Sequence, residues 1–284
     1  MKKISLFLTA LCLAFMTLQP VQAQLNTPAP SPFSKIEQMI GLTNVTVAYS
    51  RPGMKGRDIM GELVPYGKLW RTGANRATKI SFDDPMSIGG QRLEAGDYAI
   101  FSIPGKKEWT IIISSKGDQN GIAEYDEAKD AARFTVAPQK TKETYESFTI
   151  MFSELDNNSA MMNLMWENTK VQIPVEDYDL DEVVMSQIKK AMPKAGDNDN
   201  MYYAAASYYF NNNKDMSQAA EWIDRAAEIN DQKYWVLHLQ AKIHAALNND
   251  QKAKDAAQKS MQLAEKAGNP DYVKLNRDLI SSLD

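Results

Sequence analysis

From Thr43 to Val175 the apolar residues recur at every second position. "TNVTVAY" sets Val45, Val47 and Tyr49 against polar or small Asn44, Thr46 and Ala48, the period of a strand with one face in a core. The runs "TKISF", "MSIGGQRL", "DYAIFSI", "EWTIIIS", "ARFTVAP", "YESFTIMFSEL", "AMMNLMWE" and "KVQIPV" continue in the same manner. Turn chemistry parts them. Gly89-Gly90 suits a two-residue hairpin, Pro104-Gly105 a tight turn, and "DNNS" at 156–159 another. About eight or nine strands at this spacing predict an antiparallel β-sandwich or barrel. Ahead of them, "LNTPAPSP" reads as extended chain, exposed or laid along a sheet edge.

At Glu176 the period changes. "YDLDEVVMSQIKKAM" places Leu180, Val183, Val184, Ile188 and Met192 on one helical face, and Pro193 ends it. The acids at 176–182 suit the positive end of a helix dipole. "KAGDNDN" at 194–200 reads as a polar hinge, and alanine-rich helical segments follow, the last being "YVKLNRDLISSL" after Pro270. Two helix pairs repeat at a shift of about 34 residues. Ala219 maps to Ala253 and Ile223 to Ala257, while Ala206 maps to Ala241 and Tyr209 to His244. Small residues at matched positions let helices approach closely, so a tetratricopeptide-like array is expected, with a generic helical bundle as the alternative. Two repeats are fewer than a free-standing solenoid needs, so the helix at 177–192 or the β-domain is expected to help cover them. The chain thus reads as a multidomain β + α protein. Its plan is a signal peptide at 1–23, a β-sandwich domain at 24–175, a helix and hinge at 176–199, and a helical-repeat domain at 200–284.

The signal peptide follows from the first residues. Lys2 and Lys3 precede an apolar run from Ile4 to Leu18, and Val21 and Ala23 supply small residues for cleavage after Ala23. That run is too short for a spanning helix, and no later segment approaches 18 apolar residues. A periplasmic or secreted protein without a transmembrane segment is expected. Cys12 is the only cysteine. Its lipidation is the rival reading, but Leu11 is a poor residue before a lipobox cysteine. Cleavage after Ala23 leaves no cysteine, which excludes disulfides, thiol catalysis and thiolate metal sites. Loss of Lys2 and Lys3 leaves 30 basic residues against 36 acidic, a balance that argues against nucleic acid as a partner. The exception is local. Residues 51–80 hold Arg51, Lys55, Arg57, Lys68, Arg71, Arg76 and Lys79 against only Asp58 and Glu62.

Missing residue types narrow the chemistry further. The only histidines, His238 and His244, lie six apart in the helical region, a spacing unlike the i,i+4 of helical metal pairs. The β-domain has neither His nor Cys, so it holds no Ser-His-Asp triad and no histidine metal site. No glycine-rich phosphate loop is present. No cofactor and no metal are expected. Catalysis in the β-domain would have to use carboxylates, Tyr, Lys or Ser. The carboxylates of "GDQNGIAEYDEAKD" at 117–130 read more simply as solvated loop residues than as a glycosidase pair.

The basic island is different. Its prolines and glycines mark a shaped loop, with Leu63, Val64, Tyr66 and Trp70 as expected anchors. Arg51, Arg57 and Arg71 then have two readings. They pin the loop by forked hydrogen bonds to internal carbonyls and to carboxylates such as Asp58 and Glu62. Or they converge on one spot and form a concave anion site, with Asp58 and Glu62 offsetting two of the three charges. The candidate binding set is Arg51, Lys55, Arg57, Tyr66, Trp70, Arg71 and Asn75.

These same residues carry a family resemblance. "TPAPSP", "GLTNVTVAYSRPGMKGR", "LVPYGKLWRTGAN", "AGDYAIFSIPG", "EWTIIIS" and "MNLMWENTKVQIPV" cover most of 27–175 and resemble the bacterial domain of unknown function 2911. The resemblance implies an exported β-rich domain and supplies no reaction. It also implies an acidic residue after "GAN", where this chain has Arg76. Two functional classes are therefore carried forward. The first is a non-catalytic envelope binding or scaffold protein, taking an anionic small ligand at the arginine-rich loop and a protein or peptide partner in a helical groove. The alternative is a carboxylate-dependent hydrolase of carbohydrate or cell-wall material, marked by a cleft with paired carboxylates.

Overall fold

The alternating runs become ten strands among the described residues: β1 (Phe33–Ile40), β2 (Thr43–Ser50), β3 (Thr78–Phe82), β4 (Met86–Ile88), β5 (Gln91–Leu93), β6 (Gly96–Ile103), β7 (Trp109–Ser114), β8 (Asp130–Val136), β9 (Gln139–Ser153) and β10 (Ser159–Asp177). The computed structural model describes residues 27–283. The expected signal peptide, the expected cleavage site after Ala23 and Cys12 lie outside them. The chain divides into two compact units, one ending at Tyr178 and the other beginning at Asp179.

In the first unit the strands form two antiparallel sheets, β1-β2-β3-β6-β7-β8 and β5-β4-β10-β9. Their inner faces meet in one core. Val45, Val47, Ile80, Ile100, Ile111 and Ile113 come from the larger sheet, and Met86, Ile88, Phe148, Ile150, Leu164 and Ile173 from the smaller. This is the expected sandwich, and β2 alternates buried and half-buried residues as its sequence does. β6 and β7 are buried on both faces. Ile100, Ile111 and Ile113 point into the main core, while Ala99, Phe101 and Ile112 join Leu69, Ala77 and Tyr125 in a second cluster. Loops therefore cover the outer face of this sheet, which explains why "AIFSI" and "TIIIS" read as unbroken apolar runs.

The turns behave as their residues demand. Gly89 and Gly90 join β4 to β5 at φ 61° and 77°, the left-handed pair of a two-residue hairpin. A Cβ at Gly89 would stand 2.3 Å from the Phe134 ring. Two expectations change. "AMMNLMWE" and "KVQIPV" form one long strand, β10, because register shifts around Glu167 bend the chain without breaking it. The strand also runs past Glu176. Asp177 pairs with Met86, and its Oδ2 accepts from Leu42 N–H and Thr43 Oγ1. That long-range anchoring outweighs the local helical pattern there.

The second unit is helical: α1 (Leu180–Ala191), a 3-10 turn (Met192–Lys194), α2 (Asp199–Asn211), α3 (Met216–Ile229), α4 (Tyr234–Ala246), α5 (Asp250–Lys266) and α6 (Pro270–Ser282). Asn198, Asp215 and Asn269 cap α2, α3 and α6 through their side chains. The repeat-related residues Ala206 and Ala241, Ala219 and Ala253, and Ile223 and Ala257 are all fully buried, as close packing of helix pairs requires. The helical unit begins ahead of α1, at Asp179. Asp181 on α1 accepts from Tyr208 Oη and Lys214 Nζ at 2.8 and 2.7 Å, so α1 belongs with the helices and "KAGDNDN" lies inside their unit. No helix among the described residues is long and apolar enough to cross a membrane.

Candidate functional site

The basic loop between β2 and β3 is held by backbone pairing and aromatic packing. Trp70 forms a bridge with Ser102, its N–H donating at 2.8 Å and its carbonyl accepting at 2.9 Å. Adjacent residues of such a segment face opposite ways. Leu69 therefore packs in the outer cluster, while Trp70 enters the core, stacked on Trp166 at 5.9 Å and edge-on to Trp109 and Phe148. Ile59 and Val64 are the other anchors, at 0% and 3% exposure. The expected anchors Leu63 and Tyr66 turn outward instead. Tyr66 lies against Gly61, where a Cβ would stand 2.7 Å from the ring, and Lys106 Nζ sits 5.8 Å from its centroid. Ile59 and Val64 fill the core beneath this stretch, which leaves Leu63 and Tyr66 on its solvent side.

The three arginines do not converge. Arg51 reaches β9, its Nε donating to the Phe148 carbonyl at 3.0 Å and its NH2 to Thr149 Oγ1 at 2.7 Å. Arg57 folds back on its own turn and donates to the carbonyls of Met54 and Gly53 at 2.9 and 2.8 Å. Arg71 donates to the Asn75 carbonyl at 2.9 Å and packs beside Gly121. They share no acceptor, and among the described residues none forms an ion pair with Asp58 or Glu62. Lys55 is exposed at φ 51°, and its N–H donates to Glu146 Oε1.

The end of the loop carries backbone strain. Thr72 and Asn75 adopt φ 53° and 60°, an unfavourable region for a β-branched residue above all. The surroundings hold Thr72 there. Its Oγ1 meets Ser102 Oγ at 2.9 Å, and its carbonyl accepts from Thr78 Oγ1. Asn75 Nδ2 donates to Ser50 Oγ at 3.1 Å. The strained turn thus sets Asn75 and Arg76 at the rim of a cleft of about 240 Å³.

That cleft is lined by Phe33, Ser50, Asn75, Arg76, Lys79, Asp118 and Gln119, among others. Arg76 is two-thirds exposed. Its Nε donates to Asn120 Oδ1 at 3.2 Å, and Asp118 stands 3.8 Å from NH1. Lys79 lies 2.8 Å from Asp97, whose hydrogen bond raises the lysine pKa and keeps it cationic. Gln119 is 2% exposed, and its Oε1 has no hydrogen-bond partner. Of the candidate binding set, only Asn75 lines this cleft. Arg76 and Lys79 were visible as members of the basic island, whereas Asp118 and Gln119 arrive from the loop at 117–130, whose sequence reads only as solvated carboxylates.

Two grooves mark the helical unit. One, of about 550 Å³, runs over α3, α4 and α5 and is lined by Asp224, Glu228, Asp231, Gln240, His244, Lys252, Asp255 and Lys259, among others. On its floor, His244 Nε2 and Gln240 Nε2 both meet Asp224 Oδ1 at 2.8 Å. The other, of about 560 Å³, lies between α1 and the α2–α3 pair and is lined by Met185, Ile188, Met192, Tyr209 and Trp222, among others. His238 faces another way. Its Nδ1 meets Asn276 Oδ1 at 2.8 Å, and Asn276 Nδ2 donates to Ser260 Oγ and the Tyr272 carbonyl. Among the described residues, no group of three or more His, Cys, Asp or Glu is placed to hold a metal ion.

No curated protein matches the chain. The family described as a protein of unknown function, DUF2911, matches residues 31–175, which span the whole sandwich from just before β1 almost to the end of β10. The strained "WRTGAN" turn, the tryptophan cluster and the two sheets all fall inside that match, and the chain belongs to the DUF2911 family.

Proposed function

We propose that the protein is an exported, non-catalytic binding and scaffold protein whose β unit takes a hydroxylated anion, such as a sugar acid, at the cleft beside Arg76. The contrast among the arginines carries this reading. Arg51, Arg57 and Arg71 end on carbonyls or hydroxyls of their own unit and do not line this cleft. Arg76, held at Nε by Asn120 and 3.8 Å from Asp118, keeps a two-thirds exposed side chain there with Lys79 beside it. A guanidinium and an ammonium suit a carboxylate or phosphate. The unpartnered Gln119 Oε1 suits a hydroxyl donor. A hydrolase would need paired carboxylates, one of them held protonated. The carboxylate of this cleft is Asp118, which faces two cations. Asp97 is held below its usual range by Lys79 and Ser81, so it stays ionised.

Thermal melts of the mature chain with glucuronate, glucose and acetate test the reading. Glucuronate should raise the β-unit transition more than acetate, and glucose should leave it unchanged. Arg76→Gln should abolish the glucuronate effect while Arg71→Lys retains it. An equal response in wild type and Arg76→Gln would sink the proposal. The helical groove completes it as the partner surface. Its acids Asp224, Glu228, Asp231 and Asp255 outnumber Lys252 and Lys259, which suits a cationic peptide segment. A lysine-rich peptide should raise the helical transition in wild type but not in Asp255→Asn, and an unchanged response in that variant would remove the groove from the reading.

A further inference from the structure

β1 ends the six-stranded sheet, and among the described residues no strand lies on its outer side. It pairs with β2 in unbroken register from Phe33↔Ser50 to Ile40↔Thr43. Among the described residues no backbone group of another segment bonds to its free side, and the Met39 carbonyl is met only by the Gln38 amide of the same strand. Sheet edges are usually blunted by a bulge, a proline, an inward charge or a net run of lysines. β1 has none of these. Its one lysine, Lys35, is balanced by Glu37 two residues on, and the two pair along the strand.

The hydrogen-bonding parity of the edge follows from its neighbour. Arg51 N–H donates to the Pro32 carbonyl at 2.8 Å, in the same register as β1–β2. Even-numbered residues of β1 therefore bond to β2, and Phe33, Lys35, Glu37 and Met39 present their N–H and C=O groups to the free edge. The same four carry the exposed side chains. Phe33 is 70% and Met39 58% exposed, while Ile36 packs towards the core.

These residues are complementary to themselves. We propose that β1 is a docking edge for a second copy of this chain, paired antiparallel about a two-fold axis at Ile36. Lys35 of each copy then lies opposite Glu37 of the other, and Phe33 lies opposite Met39. Ser34 faces Gln38, and the two Ile36 side chains meet on the core side. Lys35 and Glu37 fall in a hydrogen-bonded pair, as do Phe33 and Met39, so the parity of the edge is satisfied. Moving the axis by one residue keeps that parity but sets Lys35 against Lys35, or Glu37 against Glu37. One register is selected by charge, and the aromatic–thioether pair adds apolar contact to it. The pairing is isologous and closed, so it gives a dimer and not a fibre. It joins two six-stranded sheets into one continuous sheet.

The test is a charge swap on the mature full-length chain, read by light scattering after size exclusion from about 1 to about 200 µM, the range of small interfaces. Wild type should pass from monomer to dimer with concentration. Lys35→Glu and Glu37→Lys each create two like-charge contacts by symmetry, so each should weaken the dimer on the order of tenfold or more. The double swap Lys35→Glu/Glu37→Lys restores both contacts and should restore the dimer. Both side chains are more than half exposed, so circular dichroism should show all three variants folded. A wild type that stays monomeric throughout overturns the proposal, and so does a double swap that dimerises no better than the single ones.

Discussion

If the loop arginines are structural, replacing them by methionine should cost stability in the order Arg51, Arg71, Arg57. Methionine keeps the side-chain stem and removes the fork. Arg51 makes two hydrogen bonds to β9, joining the loop to the smaller sheet. A hydrogen bond to a charged group contributes about 1.5–3 kcal/mol when buried, and the half-buried setting of Arg51 reduces this, so Arg51→Met should cost about 2 kcal/mol. Arg71 makes one bond, to Asn75 O, and Arg71→Met should cost about 1 kcal/mol. Arg57 is exposed and bonds only within its own turn, so its loss should stay below about 0.5 kcal/mol. Urea melts followed by tryptophan fluorescence in a Trp222→Phe/Trp235→Phe background read the β unit through Trp70, Trp109 and Trp166, and far-ultraviolet ellipticity follows the helical unit separately. A cost of 2 kcal/mol should move the β transition by about 1 M urea. If Arg57→Met costs as much as Arg51→Met, the partner assignment is wrong. If none of the three moves the melt while an anion stabilises only the wild type, the arginines form a binding site and the structural reading fails.

The helical unit should lose stability in mild acid. Burial holds the His238 pKa below its usual value, so the unfolded chain binds that proton more readily than the folded one. Stability is then full above about pH 6.5 and falls as pH drops through that value towards the lowered folded pKa. A His238→Gln variant should show a flatter helical melt profile between about pH 7 and pH 5, and an unchanged slope would refute the assignment. Export carries its own check. N-terminal sequencing of protein recovered from outside the cytoplasm should begin at Gln24, and an acyl group on Cys12 would overturn both the cleavage site and the cysteine-free mature chain.

The features legible before any tertiary contact are local in origin. The period-2 runs specify strands and the Gly89-Gly90 hairpin, because side-chain alternation and left-handed turn residues are properties of short segments. The matched alanines at 206 and 241, and at 219 and 253, specify helix pairs that pack closely. The site was less legible. That the basic loop is a shaped and anchored segment follows from its glycines and Trp70. Which residues anchor it, and where each arginine ends, depends on distant partners. Arg51 finds β9 nearly a hundred residues away, and Asp118 and Gln119 complete a cleft that begins at Asn75. Asp177 stays in a strand against its local helical pattern because Leu42 and Thr43 hydrogen-bond to it. The self-complementary order of Phe33, Lys35, Glu37 and Met39 was always in the sequence. It acquired meaning only when the tertiary structure left β1 at an open edge, since an identical strand inside the sheet would have both its hydrogen-bonding sides occupied.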